Sequence, residues 1–215
     1  MTYRLTAVVA LAAAPVALGG GSATVDFEEL ASGDTYGPGG TGGEMAGDLL
    51  FSDEGIDVRV DTFLNPDQSV SSSMFSFVEV DGAISQEAFS TQGIEFFGDI
   101  ALEFDFTGLA FSVGRVELEW ADFGGSQTIG VNGQLFGFAG LMNAPAMLDG
   151  VDIEVIQDQT FSGGVGGRII FTGDIEAITI GGEEFGLDNV TASVPAPGGA
   201  ALLAIAGFVG LRRRR

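Results

Sequence analysis

Short runs in which apolar and acidic residues alternate recur along most of this chain. Ile56, Val58 and Val60 alternate with Asp57, Arg59 and Asp61, and Leu102, Phe104 and Phe106 with Glu103 and Asp105. Val116, Leu118 and Trp120 alternate with Glu117 and Glu119, and Val151, Ile153 and Val155 with Asp152 and Glu154. Successive side chains of a strand point to opposite faces, so this period predicts antiparallel strands with a buried apolar face and a solvated acidic one. A first strand is expected over residues 24–30 and the last ones over 168–171, 175–180 and 184–192. Turn-forming residues separate the runs: Asn65-Pro66-Asp67, Asp81-Gly82, Phe123-Gly124-Gly125, Asn132-Gly133, Asp149-Gly150 and the stretch 162–167. Asn132-Gly133, set between Val131 and Gln134, is a two-residue hairpin signal. Outside the two ends of the chain no window holds a helical period over a dozen residues. The pattern predicts an all-β protein: an antiparallel two-sheet sandwich of jelly-roll type with about ten strands. Eighteen Phe residues, with many Val and Ile, supply its core, at roughly 1.5–3 kcal/mol per buried side chain.

Residues 31–47 carry seven glycines and read as a long surface loop. Gly37, Gly39 and Gly42 make a formal G-x-G-x-x-G. A dinucleotide site needs a helix after that motif, with its N-terminus facing the pyrophosphate, and the pattern predicts none here.

The two ends break the alternation. Residues 1–23 have Arg4, an apolar stretch over 5–18, and the small residues Gly21 and Ala23 before Thr24. That is the layout of a secretory signal peptide, with cleavage expected after Ala23 and a signal helix ahead of it. At the other end Val194-Pro195-Ala196-Pro197-Gly198-Gly199 precedes an apolar run over 200–211, expected as a short hydrophobic helix, and then Arg212, Arg213, Arg214 and Arg215. Each Arg costs roughly 2.5–3.5 kcal/mol at the centre of a membrane helix, so four together stop on the cytoplasmic side and hold the preceding chain outside. The apolar stretch from Gly198 to Leu211 is shorter than the roughly 20 residues of a stable span, which suits transient anchoring better than a permanent tail anchor. One domain remains between the signals, over residues 24–193, long enough for a sizeable core.

Charge narrows the classes further. The body between the signals holds three Arg, no Lys and all thirty acids, a formal charge of −27. Such a field repels nucleic acid and anionic lipid and attracts cations. Two readings stand side by side: a hydrated acidic surface suited to a salt-rich habitat, and calcium bound at some of the carboxylates. Cys is absent, so stability outside the cell comes from the core, or from a bound metal, and not from disulfides. His is absent too, which removes Ser-His-Asp and Cys-His nucleophiles and His-ligated zinc. A carboxylate pair of glycosidase type is the remaining catalytic option. Glu117 and Glu119 share a strand face at about 7 Å, but in so acidic a chain that spacing arises by chance, and Trp120 has the parity of the core. The expectation is a protein that is not an enzyme.

The C-terminal order of motif, apolar segment and Arg cluster resembles the PEP-CTERM sorting signal of bacterial exported proteins, which exosortase-type enzymes process. Val194, Pro195 and Pro197 match the family's Val-Pro-Glu-Pro, with Ala196 at its Glu. Gly198-Gly199 also resembles the GlyGly-CTERM signal handled by rhomboid-type proteases. The first resemblance implies a non-catalytic exported protein, transiently anchored in the inner membrane and sorted to the cell surface or the extracellular polysaccharide matrix. Its partners would be an exosortase-type enzyme, the membrane before processing, and polysaccharide. Asp26-Phe27-Glu28 near the start of the body and Leu187-Asp188-Asn189-Val190 near its end resemble the paired terminal strands of jelly-roll carbohydrate-binding domains. That likeness implies a structural Ca2+ held by Glu28 and Asp188, with Asp26 a further candidate, and leaves open a carbohydrate-binding module or carbohydrate-active enzyme. A structural or adhesive role in the matrix also stays open.

Overall fold

The computed structural model describes residues 20–194; most of the expected signal peptide, and Pro195, Pro197, Arg212, Arg213, Arg214 and Arg215 of the expected sorting signal, lie outside the described residues. Fifteen strand segments follow one another: β1 (Ser22–Val25), β2 (Thr35–Tyr36), β3 (Leu49–Asp53), β4 (Ile56–Asp61), β5 (Phe77–Val80), β6 (Ile94–Phe97), β7 (Ala101–Asp105), β8 (Val113–Asp122), β9 (Ser126–Val131), β10 (Gln134–Ala139), β11 (Met147–Leu148), β12 (Val151–Thr160), β13 (Val165–Ile175), β14 (Ala177–Gly182) and β15 (Phe185–Ser193). One sheet runs β11-β12-β13-β8-β15-β6-β5-β2, with β1 also on β15; the other runs β10-β9-β14-β7-β4-β3. Every pairing is antiparallel. The all-β two-sheet sandwich expected from the alternation is the fold observed.

The alternation does what period two requires. Ile56, Val58, Leu102, Phe104, Ile178 and Ile180 from the second sheet meet Val116, Leu118, Trp120, Ile169, Phe171, Phe185 and Val190 from the first, all essentially buried. Trp120 points into the core, as its parity predicts. The Asn132-Gly133 hairpin forms between β9 and β10, both residues taking positive φ (50° and 82°) as a primed turn demands.

Four local details differ from the sequence expectation. The first strand covers Ser22–Val25 and ends where Phe27 takes φ 62°. The strands expected over 168–171 and 175–180 are Val165–Ile175 and Ala177–Gly182. Asp81-Gly82 leads into a short helix, α1 (Ala83–Ala88), and not into a hairpin. The fourth detail is the segment 62–70, which lies over the outer face of β9 and β10. There the Thr128 hydroxyl bonds both the N–H and the carbonyl of Leu64, and the Gln68 amide bonds both backbone groups of Gly137. A Cβ at Gly137 would collide with the carbonyls of Leu64 and Asn65, so a glycine is needed for that close approach. Among the described residues no helix is long and apolar enough to cross a membrane.

Removing the Phe104 ring from the fully buried core (Phe104→Ala) should cost about 3–5 kcal/mol in denaturant unfolding, whereas Glu154→Gln on the exposed face of β12 should leave the midpoint nearly unchanged. Equal effects would mean that the inward and outward faces have been assigned wrongly.

Candidate functional site

β15 lies inside its sheet, with β8 along one side and two strands in succession along the other. Phe185, Gly186 and Leu187 pair with β6, and Val190 to Ser193 pair with β1. Leu187 faces the core, and so do Val190 and Ala192, although an odd number of steps separates the first from the other two. A bulge between Asp188 and Thr191 resolves the conflict: Asn189 takes φ 51° as an extra residue, and the apolar side chains after it return to the core face. The bulge has a cost. It leaves Asp188 on the outer face yet buried, directly across the ladder from Glu119.

Asp188 is held by donors from two segments. Its Oδ1 accepts the Asn189 N–H (2.7 Å), and its Oδ2 accepts the Thr91 hydroxyl (2.6 Å) and the Asn189 side-chain amide (3.0 Å). Burial pushes the Asp188 carboxyl up to about 6, and the charges of Glu119 and Glu28 add to the push against the hydrogen bonds from Thr91 and Asn189. Glu28, exposed in the turn after β1, accepts the N–H of Gln92 (2.8 Å), while the Gln92 side chain donates to the carbonyls of Phe27 (2.5 Å) and Leu30 (2.9 Å). Glu28 and Asp188 are thus brought to the same corner, where both grip the loop at Thr91 and Gln92.

The corner was expected to hold calcium. Calcium takes six to eight oxygens, and among the described residues no group of three or more acidic side chains converges as a metal site. Two carboxylates, each already accepting hydrogen bonds from the loop, do not complete that shell. Asp26 does not join them in a shared contact; its carboxylate accepts the N–H of Glu28 (3.1 Å).

Beside the bulge, the outer faces of β8 and β15 form a shallow groove of about 220 Å3 lined by Arg115, Glu117, Glu119, Asn189, Thr191 and Ser193. Ligand pockets usually enclose roughly 300–1,000 Å3; this one is smaller, and Leu118 lies at its floor among the polar side chains. Glu117 receives Arg115 at 2.6 Å and Arg168 at 3.1 Å. Partial burial pushes its carboxyl up, but hydrogen bonds and charge from the two arginines outweigh this and hold it below the usual carboxylate range. A carboxylate so held is ionised at neutral pH and is poorly suited to donate a proton as a general acid. The third body arginine, Arg59, pairs with Asp57 at 2.7 Å on the other sheet.

Aromatic side chains outside the core gather elsewhere. Phe77 and Phe97 stack across β5 and β6 at 4.8 Å, and Phe75, two residues before Phe77, is 88% exposed. Sequence reasoning missed Phe75 because a Phe among strands reads as core. Tyr36 is half-buried in β2 and packs against Phe51 at 6.2 Å. Comparison with protein-family models finds no match, and comparison with curated proteins finds no similar sequence.

The buried carboxylate gives a pH prediction. Unfolded, Asp188 titrates near its ordinary value of 3.8; folded, near 6. The fold therefore binds this proton more tightly than the unfolded chain, and its contribution to stability falls as pH rises from about 4 to above 6. Going from pH 8 to pH 5 should stabilise the wild type by on the order of 1 kcal/mol more than Asp188→Asn. Thermal unfolding of both proteins across that range checks this; parallel pH profiles would contradict it.

Proposed function

We propose that this is a non-catalytic exported protein, carried across the inner membrane by an N-terminal signal peptide. A PEP-CTERM-like C-terminal signal then sorts it to the cell surface or the extracellular polysaccharide matrix. The observation that carries the reading is the order Val194-Pro195-Ala196-Pro197, apolar segment, four arginines. Its electrostatics give the signal a direction, because arginines that resist crossing lipid fix the C-terminal end inside. The fold is compatible with this: the last strand ends at Ser193, immediately before the motif, and the first begins at Ser22, so a self-contained sandwich lies between the two segments to be processed. The unpaired surface acids of a body with three arginines suit a protein kept soluble by hydration outside the cell.

A second reading, a polysaccharide-binding module, draws on one observation: Phe75, two residues before the Phe77 of the stacked Phe77–Phe97 pair, is exposed and offers an apolar face on which a sugar ring can stack. It predicts binding on a glycan array that Phe75→Ala weakens, with a chelator arm reporting whether calcium takes part. An array without signal for the wild-type protein contradicts it.

For the main reading, intact-mass analysis of the protein from its producing cells should give a C-terminus within or just after residues 194–199, lacking Arg212, Arg213, Arg214 and Arg215. A mature chain that keeps the arginines contradicts sorting and supports a permanent tail anchor.

A further inference from the structure

The first strand begins earlier than a cut after Ala23 allows. β1 pairs with the end of β15 residue for residue: Ser22 with Ser193, Ala23 with Ala192, Thr24 with Thr191 and Val25 with Val190. The ladder runs one step further, because the Val194 N–H donates to the Gly21 carbonyl at 3.1 Å. The Thr24 N–H points the other way, to Glu54 Oε2 at 2.7 Å. In an antiparallel pair, residues whose backbone groups face the partner alternate with residues whose groups face away. Those facing β15 are therefore Gly21, Ala23 and Val25.

Ala23 is also part of the core, 4% exposed, against a fully buried Ala192. Gly21 packs against the ring of Phe111, whereas Gly20 is exposed with open space around it. Among the described residues, packing against the sandwich begins at Gly21. A chain starting at Thr24 would lose two of the three residues that bond to the end of β15. It would strip the Ala192 backbone of its partner and open the core beside Ala192. Buried backbone groups left without partners are costly.

Resting on the export reading above, we infer that the signal peptide is cut upstream of Ala23, with the Gly21–Ser22 bond as the site. Gly19 and Gly21 then supply the small residues that such a cut requires. Ala23 stays in the mature protein as a core residue. The cut chain keeps all four residues of β1 and gives up only the terminal bond from the Val194 N–H to Gly21, where both processed segments leave the sandwich side by side.

N-terminal peptide mass spectrometry of the mature protein from its producing cells tests this. A first residue between Gly19 and Ala23 supports the inference that Ala23 is retained, and Ser22 itself supports the Gly21–Ser22 bond as the site. A first residue at Thr24 or later overturns it while leaving export intact, and an uncleaved Met1 overturns the inference together with the export reading. A variant in which the leader is joined directly to Thr24 should melt several degrees below the wild type; equal melting temperatures would show that Ser22 and Ala23 add nothing to the fold and would also overturn it.

Discussion

The sandwich depends on one constraint: along every strand, the apolar side chains must keep facing the other sheet. A shift of one residue would turn a strand's whole apolar set out to solvent. Most strands meet the constraint by simple alternation. β15 cannot, since Leu187 and Val190 are out of phase, and the bulge at Asn189 restores the parity. Asp188 is buried as a consequence, opposite Glu119, and the loop carrying Thr91 and Gln92 is recruited to satisfy it. At that corner, backbone parity and hydrogen bonds to the loop position both Glu28 and Asp188.

The same alternation organises the charge. Most carboxylates occupy outward positions, Glu95, Asp122 and Asp188 being buried, and the three body arginines meet carboxylates: Arg59 on Asp57, and Arg115 and Arg168 converging on Glu117. Exposed pairs of this kind add little stability, roughly 0–1 kcal/mol each. Their effect is local, keeping Glu117 ionised within a sheet face whose other charges repel one another. The buried apolar core is the main source of stability, and the sequence has no cysteine to add a disulfide.

Much of the fold was legible in the sequence because period two is a direct readout of half-buried strands. The inward Trp120, the Asn132-Gly133 hairpin and the alternating runs of β4, β7, β8 and β12 all appear where the pattern put them. What was not legible depends on long-range partners. Leu187-Asp188-Asn189-Val190 contains no local sign of a bulge; only the need to face the core on both sides of it creates one. The start of β1 was hidden for the same reason, as Gly21, Ser22 and Ala23 are small residues that suit a leader's cleavage region as well as a strand, and only pairing with Ala192 and Val194 distinguishes the two. Gly137 gave no hint that segment 62–70 would close over it, and Phe75 none that it would stand in solvent. The pairing of Glu28 and Asp188 at one corner was anticipated, but their shared role in holding a loop was not.

Under the proposed function, residues 194–215 act as a portable signal, independent of the acidic sandwich that precedes them. Grafting residues 194–215 onto an unrelated exported domain, and expressing the fusion in the cells that produce this protein, tests that directly. The fusion should lose its four arginines and reach the cell surface or medium, and should remain unprocessed when Arg212, Arg213, Arg214 and Arg215 are all replaced by Ser. A graft that stays in the inner membrane with its arginines intact would contradict the account.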